Sequence, residues 1–191
     1  MANIAFFGLG AMGAPIANNL ASEGHHLAVF DTNPQACSRI SGPHVRIGNN
    51  PADTAQGCDF VITLLPTSSE VKQVICGPEG AIRASTKNTV FIDMSTVKPA
   101  KPKEMAERAQ AVGGVFLECP VGGSVGPAKE GKLLGFVGGD SADVEKVKPL
   151  LDQLCKRVEH VGTYGAGSTV KLAVNLPLMV YWQTLGESLS L

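Results

Sequence analysis

The stretch Phe6-Phe7-Gly8-Leu9-Gly10-Ala11-Met12-Gly13 constrains this chain more than any other. Its three glycines lie between an apolar run, Asn3–Phe7, and a segment patterned as a helix, Ala11–Ser22. Glycine inside a helix costs roughly 0.5–1 kcal/mol relative to alanine, so bare backbone is needed here for another reason. Between a strand and a helix, the spacing G-x-G-x-x-G has a physical reading. The first glycine makes a tight turn, the second admits a pyrophosphate, and the third lets helix and strand pack closely. The diphosphate rests on the helix N-terminus, where free N–H groups and the positive dipole end meet. Asp31 stands 18 residues after Gly13, at the end of a second apolar run, His26–Asp31. A carboxylate there bonds the ribose hydroxyls of an adenosine. It also repels a 2′-phosphate, and it is followed by Thr32 and Asn33 rather than by arginine. NAD is therefore favoured over NADP. Arg39, the nearest cation, reads as a solvated helix residue.

Further apolar runs at 59–65, 89–95, 115–120, 133–139 and 157–162 predict strands, and helical patterns at 33–40, 101–112 and 141–155 alternate with them. Strands alternating with helices imply an α/β fold: a doubly wound, mostly parallel sheet with helices on both faces, of the Rossmann type. This dinucleotide-binding domain is expected over residues 1–164. Residues 165–191 are apolar on nearly every side of a projected helix, and such a helix expects burial all round. Proline lacks an N–H and clashes with the preceding turn, so Pro177 predicts a bend near Ala173. Several large apolar residues between 170 and 191 predict a homo-oligomer formed through this helix.

Composition narrows the function. The net charge is −1 with scattered cations, which argues against a nucleic-acid partner. The longest apolar run, LPLMVYW, is too short to cross a bilayer. Five isolated cysteines, with no CxxC, suit the reduced thiols of a cytoplasm. The N-terminus lacks the basic stretch of a secretory signal. The histidines at 25, 26, 44 and 160 have no spacing for a metal or a triad, so no metal is expected.

Four segments in order resemble the β-hydroxyacid dehydrogenases, the family of 3-hydroxyisobutyrate dehydrogenase and tartronate semialdehyde reductase, related to 6-phosphogluconate dehydrogenase. They are GLGAMGAPIANNL at the glycine motif, LLPTSSEV at 64–71, DMST at 93–96 together with CPVGGSVGPAKEGKL at 119–133, and GAGSTVKLAVN at 165–175. The resemblance implies that Gly8, Leu9, Gly10, Ala11, Met12, Gly13, Asp31, Leu65, Pro66 and Thr96 meet the cofactor, with Thr96 beside the nicotinamide. It implies that Lys171 is the catalytic lysine, with Asn175 one turn on. The family commonly reads P-V-S-G-G where this chain has Gly122 in the serine's place and Ser124 two residues later. It also commonly pairs two asparagines after the lysine; here Val174 takes the first place. A second, all-helical domain follows in the family and is absent from this sequence.

Oxidising a hydroxy acid needs a hydride acceptor and a base for the hydroxyl proton. The nicotinamide supplies the first, and Lys171 is the candidate for the second if its surroundings lower its pKa. A small carboxylate-bearing substrate needs donors. The backbone N–H groups of Gly122, Gly123 and Ser124 can offer them, and Ser95 a hydroxyl. Two rival readings stand beside this one. The first is a cofactor-binding module without catalysis of its own; the second is an imine reductase, against which Lys171 counts.

Overall fold

The computed structural model describes residues 1–191. Five parallel strands form its first part: β1 (Asn3–Phe7), β2 (His26–Phe30), β3 (Val45–Ile47), β4 (Phe60–Thr63) and β5 (Val90–Asp93). The chain then adds β6 (Val115–Glu118), β7 (Val121–Gly122), β8 (Leu133–Gly138) and β9 (Cys155–Gly162). They make one nine-stranded sheet in the order β3-β2-β1-β4-β5-β6-β8-β7, with β9 paired to β8. The strands from β3 to β6 are parallel, β8 runs antiparallel to β6 and β7, and β9 runs parallel to β8. The reversal between β2-β1 and β4 opens a crevice at the strands' carboxyl ends, where ligands of such sheets bind.

Helices cover both faces, which is why the central strands are apolar without alternation. Along β1, Ile4 and Phe6 join one buried cluster while Ala5 and Phe7 join the other. The first cluster takes Ile16 and Leu20 of α1 (Gly13–Ser22) and Val147 and Leu150 of α7 (Ser141–Leu151). The second takes Val71 and Ile75 of α4 (Ser68–Cys76) and Met105 and Ala109 of α5 (Lys101–Gln110). Short helices α2 (Pro34–Cys37), α3 (Pro51–Ala55) and α6 (Val125–Lys129), and a single 3-10 turn at Ala81–Arg83, complete the connections.

The last helix, α8 (Ala166–Leu189), runs through Pro177 as one element of 24 residues. Only its start is embedded: Gly167 and Ser168 are buried, whereas Leu176, Met179 and Trp182 are 64%, 68% and 61% exposed. No helix is long and apolar enough to cross a membrane.

Candidate active site

At the end of β1 the three glycines serve distinct ends. Gly8 adopts φ +93°, and a Cβ there would lie 2.2 Å from the carbonyl oxygen of Leu64. A Cβ on Gly13 would lie 1.8 Å from the carbonyl oxygen of Gly8, so the loop and the first turn of α1 touch backbone to backbone. A Cβ on Gly10 would meet nothing within 4 Å. Protein packing therefore accounts for Gly8 and Gly13 and leaves Gly10 facing open space. The amides of Gly10, Ala11 and Met12 donate to nothing in the chain, and no side chain caps α1. Bare backbone, free N–H groups and a helix N-terminus converge on one point, which fits a diphosphate.

Beside this point lies a groove of about 470 Å³. Gly8, Gly10, Ala11, Met12 and Gly13 line its middle, with Phe30, Asp31 and Thr32 after β2 on one side and Leu64, Leu65 and Pro66 after β4 on the other. Glu70, Gln73 and Val74 of α4 close it. Glu70 lies within the family-like segment 64–71, whereas Gln73 and Val74 were not singled out, although Thr67-x-x-Glu70 is a capping signature. The Thr67 hydroxyl does accept from the Glu70 amide. Asp31 is doubly held: Oδ2 accepts from the Leu9 amide at 2.7 Å and Oδ1 from the Asn33 amide at 2.8 Å. Its charge is thereby fixed at the mouth of the groove.

Two residues expected at a ligand are engaged by the protein itself. Leu9 was expected to meet the cofactor, but its side chain is fully buried in the core and its amide is taken by Asp31. Ser95 was expected to offer its hydroxyl to a substrate. It is 1% exposed, and its Oγ accepts from the Leu65 amide at 2.9 Å. Ser95 thus fixes the Leu65-Pro66 wall from behind. Thr96, next to it, is exposed on the loop after β5.

The remaining expected residues lie outside the groove. Gly122 ends the short strand β7; Gly123 and Ser124 are exposed, and their amides donate to nothing in the chain. Lys171 and Asn175 stand one turn apart on α8, both half-buried, whereas Val174 is 51% exposed. Lys171 forms no ion pair, and burial holds its amine below the usual lysine range. Burial likewise pushes the Asp93 carboxyl up, with Glu118 adding to the effect, and pushes the Cys119 thiol well up, which suits a structural cysteine rather than a nucleophile.

Comparison with known proteins shows the family and the fold. The model of the NAD binding domain of 6-phosphogluconate dehydrogenase matches residues 3–162. A probable mitochondrial 3-hydroxyisobutyrate dehydrogenase of Dictyostelium discoideum is 36% identical over 188 residues, 98% of this chain and 59% of that protein. The human mitochondrial 3-hydroxyisobutyrate dehydrogenase is 34% identical over 98% of this chain and 56% of its own length. The structure of 3-hydroxyisobutyrate dehydrogenase from Mycobacterium tuberculosis with L-serine superposes with TM-score 0.89 at 34% identity, covering 98% of this chain and 64% of that one. The chain thus spans less than two thirds of the length of these relatives. With the glycine loop and the match over residues 3–162 in agreement, the chain belongs to the NAD(P)-binding domain family of 6-phosphogluconate dehydrogenase.

Proposed function

We propose that the chain is the cofactor-binding part of an NAD-dependent oxidoreductase acting on small 3-hydroxy acids or acid semialdehydes. The observation that carries this reading is Lys171: a half-buried amine without a counter-ion, its pKa lowered by burial, one turn before Asn175. Bound NAD supplies the hydride acceptor. Lys171 Nζ takes the hydroxyl proton in oxidation and returns it to the carbonyl oxygen in reduction. A lowered pKa keeps a larger fraction of the amine in its basic form near neutral pH. Asn175 orients the amine or bonds the substrate. The free amides of Gly123 and Ser124 hold the substrate carboxylate.

Asp31 supports NAD over NADP, because a fixed carboxylate at the ribose end repels a 2′-phosphate and no cation lines the groove there. Five unpaired thiols suit a reducing compartment such as the cytoplasm.

The test has two arms. Calorimetric titration of the chain is expected to show tighter binding of NADH than of NADPH; the reverse order overturns the cofactor assignment. In a polypeptide of the relatives' full length, Lys171→Ala is expected to lower turnover by about 10²–10⁴-fold, the usual contribution of a positioned acid or base. NADH affinity stays unchanged. Wild-type turnover by that variant removes Lys171 from the mechanism.

A further inference from the structure

Glu118, the last residue of β6, is fully buried and pairs with no cation. A buried carboxylate is costly unless it is fully hydrogen-bonded. Its partners are the start of α8. Oε1 accepts from the amides of Gly165 at 2.6 Å and Gly167 at 2.9 Å. Oε2 accepts from the Ser168 amide at 3.2 Å and the Ser168 hydroxyl at 2.5 Å. No side chain of α8 caps its own N-terminus. Glu118 supplies the cap from a distant part of the chain, its charge facing the positive end of the helix dipole.

The surrounding backbone is shaped to this carboxylate. A Cβ on Gly138 would lie 2.2 Å from Oε1, and one on Gly167 would lie 2.4 Å from the carbonyl oxygen of Phe136 and 3.3 Å from Glu118 Cδ. Gly165 adopts φ +94°, and a Cβ there would lie 2.5 Å from the carbonyl oxygen of Pro99. The register places Thr63, Asp93, Glu118 and Gly138 side by side across four strands. Asp93 holds Thr63 Oγ1 and the Ser95 amide, and Ser95 in turn holds Leu65 of the groove. One polar row at the carboxyl edge of the sheet therefore carries both the groove wall and α8.

We propose that Glu118 is a positioning residue, which locks α8 to β6 and so fixes Lys171 relative to the Gly122-Gly123-Ser124 loop. Gly167 and Lys171 are four residues apart on α8 and share a face, while Gly122 follows Glu118 by four residues along the chain. A rotation or fraying of the first turn of α8 displaces the amine directly. The proposal rests on the reading of Lys171 as the acid/base group.

The test uses the chain itself. Lysines are reductively ¹³C-methylated, the Lys171 signal is assigned with Lys171→Arg, and its titration is followed by NMR. Glu118→Gln places an amide N–H against the N–H donors of α8. In this variant the Lys171 midpoint is expected to rise toward the ordinary lysine value of about 10.4, with NADH binding unchanged by calorimetry. Ser168→Ala removes one of the hydrogen bonds and is expected to move the midpoint the same way by less. It carries the test if Glu118→Gln fails to fold. An unmoved Lys171 titration in the folded variants overturns the proposal. The Lys171→Ala turnover assay reports separately on the acid/base reading: normal turnover there with a displaced titration ends the catalytic meaning of the clamp. Loss of turnover with an unmoved titration ends the clamp alone.

Discussion

Gly10 and Gly13 are the same residue for opposite reasons, and alanine separates them. At Gly13 a Cβ collides with the Gly8 carbonyl at 1.8 Å, so backbone must shift. Overpacking of this kind costs typically about 1–3 kcal/mol, and Gly13→Ala is expected to lower the melting temperature. At Gly10 the Cβ meets nothing within 4 Å and φ is not positive. Gly10→Ala is expected to melt at or above the wild-type temperature, since a compatible Gly→Ala change gains about 0.4–1 kcal/mol through the unfolded state. It should nonetheless weaken NADH binding, because the proposed diphosphate would approach the backbone through that open space. A Gly10→Ala chain that binds NADH as tightly as wild type refutes the close approach of a diphosphate. Asp31 has a comparable double role. Hydrogen bonds to charged groups are worth about 1.5–3 kcal/mol, so Asp31→Ala is expected to lower NADH affinity by roughly tenfold or more. NADPH affinity should fall less, as a repulsion is removed together with the Leu9 anchor. An unchanged NADH:NADPH ratio in calorimetry excludes Asp31 as the discriminating residue.

At the scale of elements, most of what could be read from the sequence followed burial, although β9 was read at 157–162 and is largely uncovered. Strands β1, β2, β4, β5, β6 and β8 are covered on both faces and stand out as apolar runs, within one or two residues at their ends. The edge strand β3 does not: Arg46 and Ile47 are exposed, and a strand paired on one side needs no apolar run. Helices α3 and α6 have five residues each, too few for periodicity. Helix α4 carries a capping pattern at Thr67-x-x-Glu70, but no helix was read there from apolar periodicity. The site was legible where chemistry needs a motif, at the glycine loop and Asp31. Leu9 and Ser95 turn inward, which the sequence could not show because a motif marks positions and not the direction each group faces. Glu118 was invisible for another reason. It belongs to no spacing pattern, and its partners lie 47 to 50 residues away. The one signal was an acid closing the apolar run VFLE, since a charge in a buried strand must find partners. The stripe that docks α8, Gly167 and Ser168 with half-buried Lys171 and Asn175, is small and polar, so apolar periodicity could not orient the helix.

At the scale of the whole molecule, α8 is the element at odds with the rest. At about 1.5 Å per residue, its 24 residues extend about 36 Å. From Leu176 onward every residue except Leu185 is exposed. Leu176, Leu178, Met179, Val180, Tyr181 and Trp182 are each more than half exposed, and the Tyr181 and Trp182 rings meet edge to face. Fully burying a large apolar side chain is worth about 1.5–3 kcal/mol, so covering even half of this surface offsets much of the entropy lost on association. In a solution of this chain alone, the surface available to cover it is the same helix of a second copy, and two-fold pairing lets each helix bury the other. The chain is therefore expected to self-associate through residues 170–191. Light scattering at micromolar concentration should give a mass above 19.9 kDa. Trp182 is the sole tryptophan, so its emission should shift to the blue as concentration rises. Met179→Glu is expected to return the chain to monomer and to leave NADH binding as it was, because Met179 is exposed on α8 and lines no part of the groove at β1, β2 and β4. A wild-type monomer with concentration-independent Trp182 emission rules out pairing through α8.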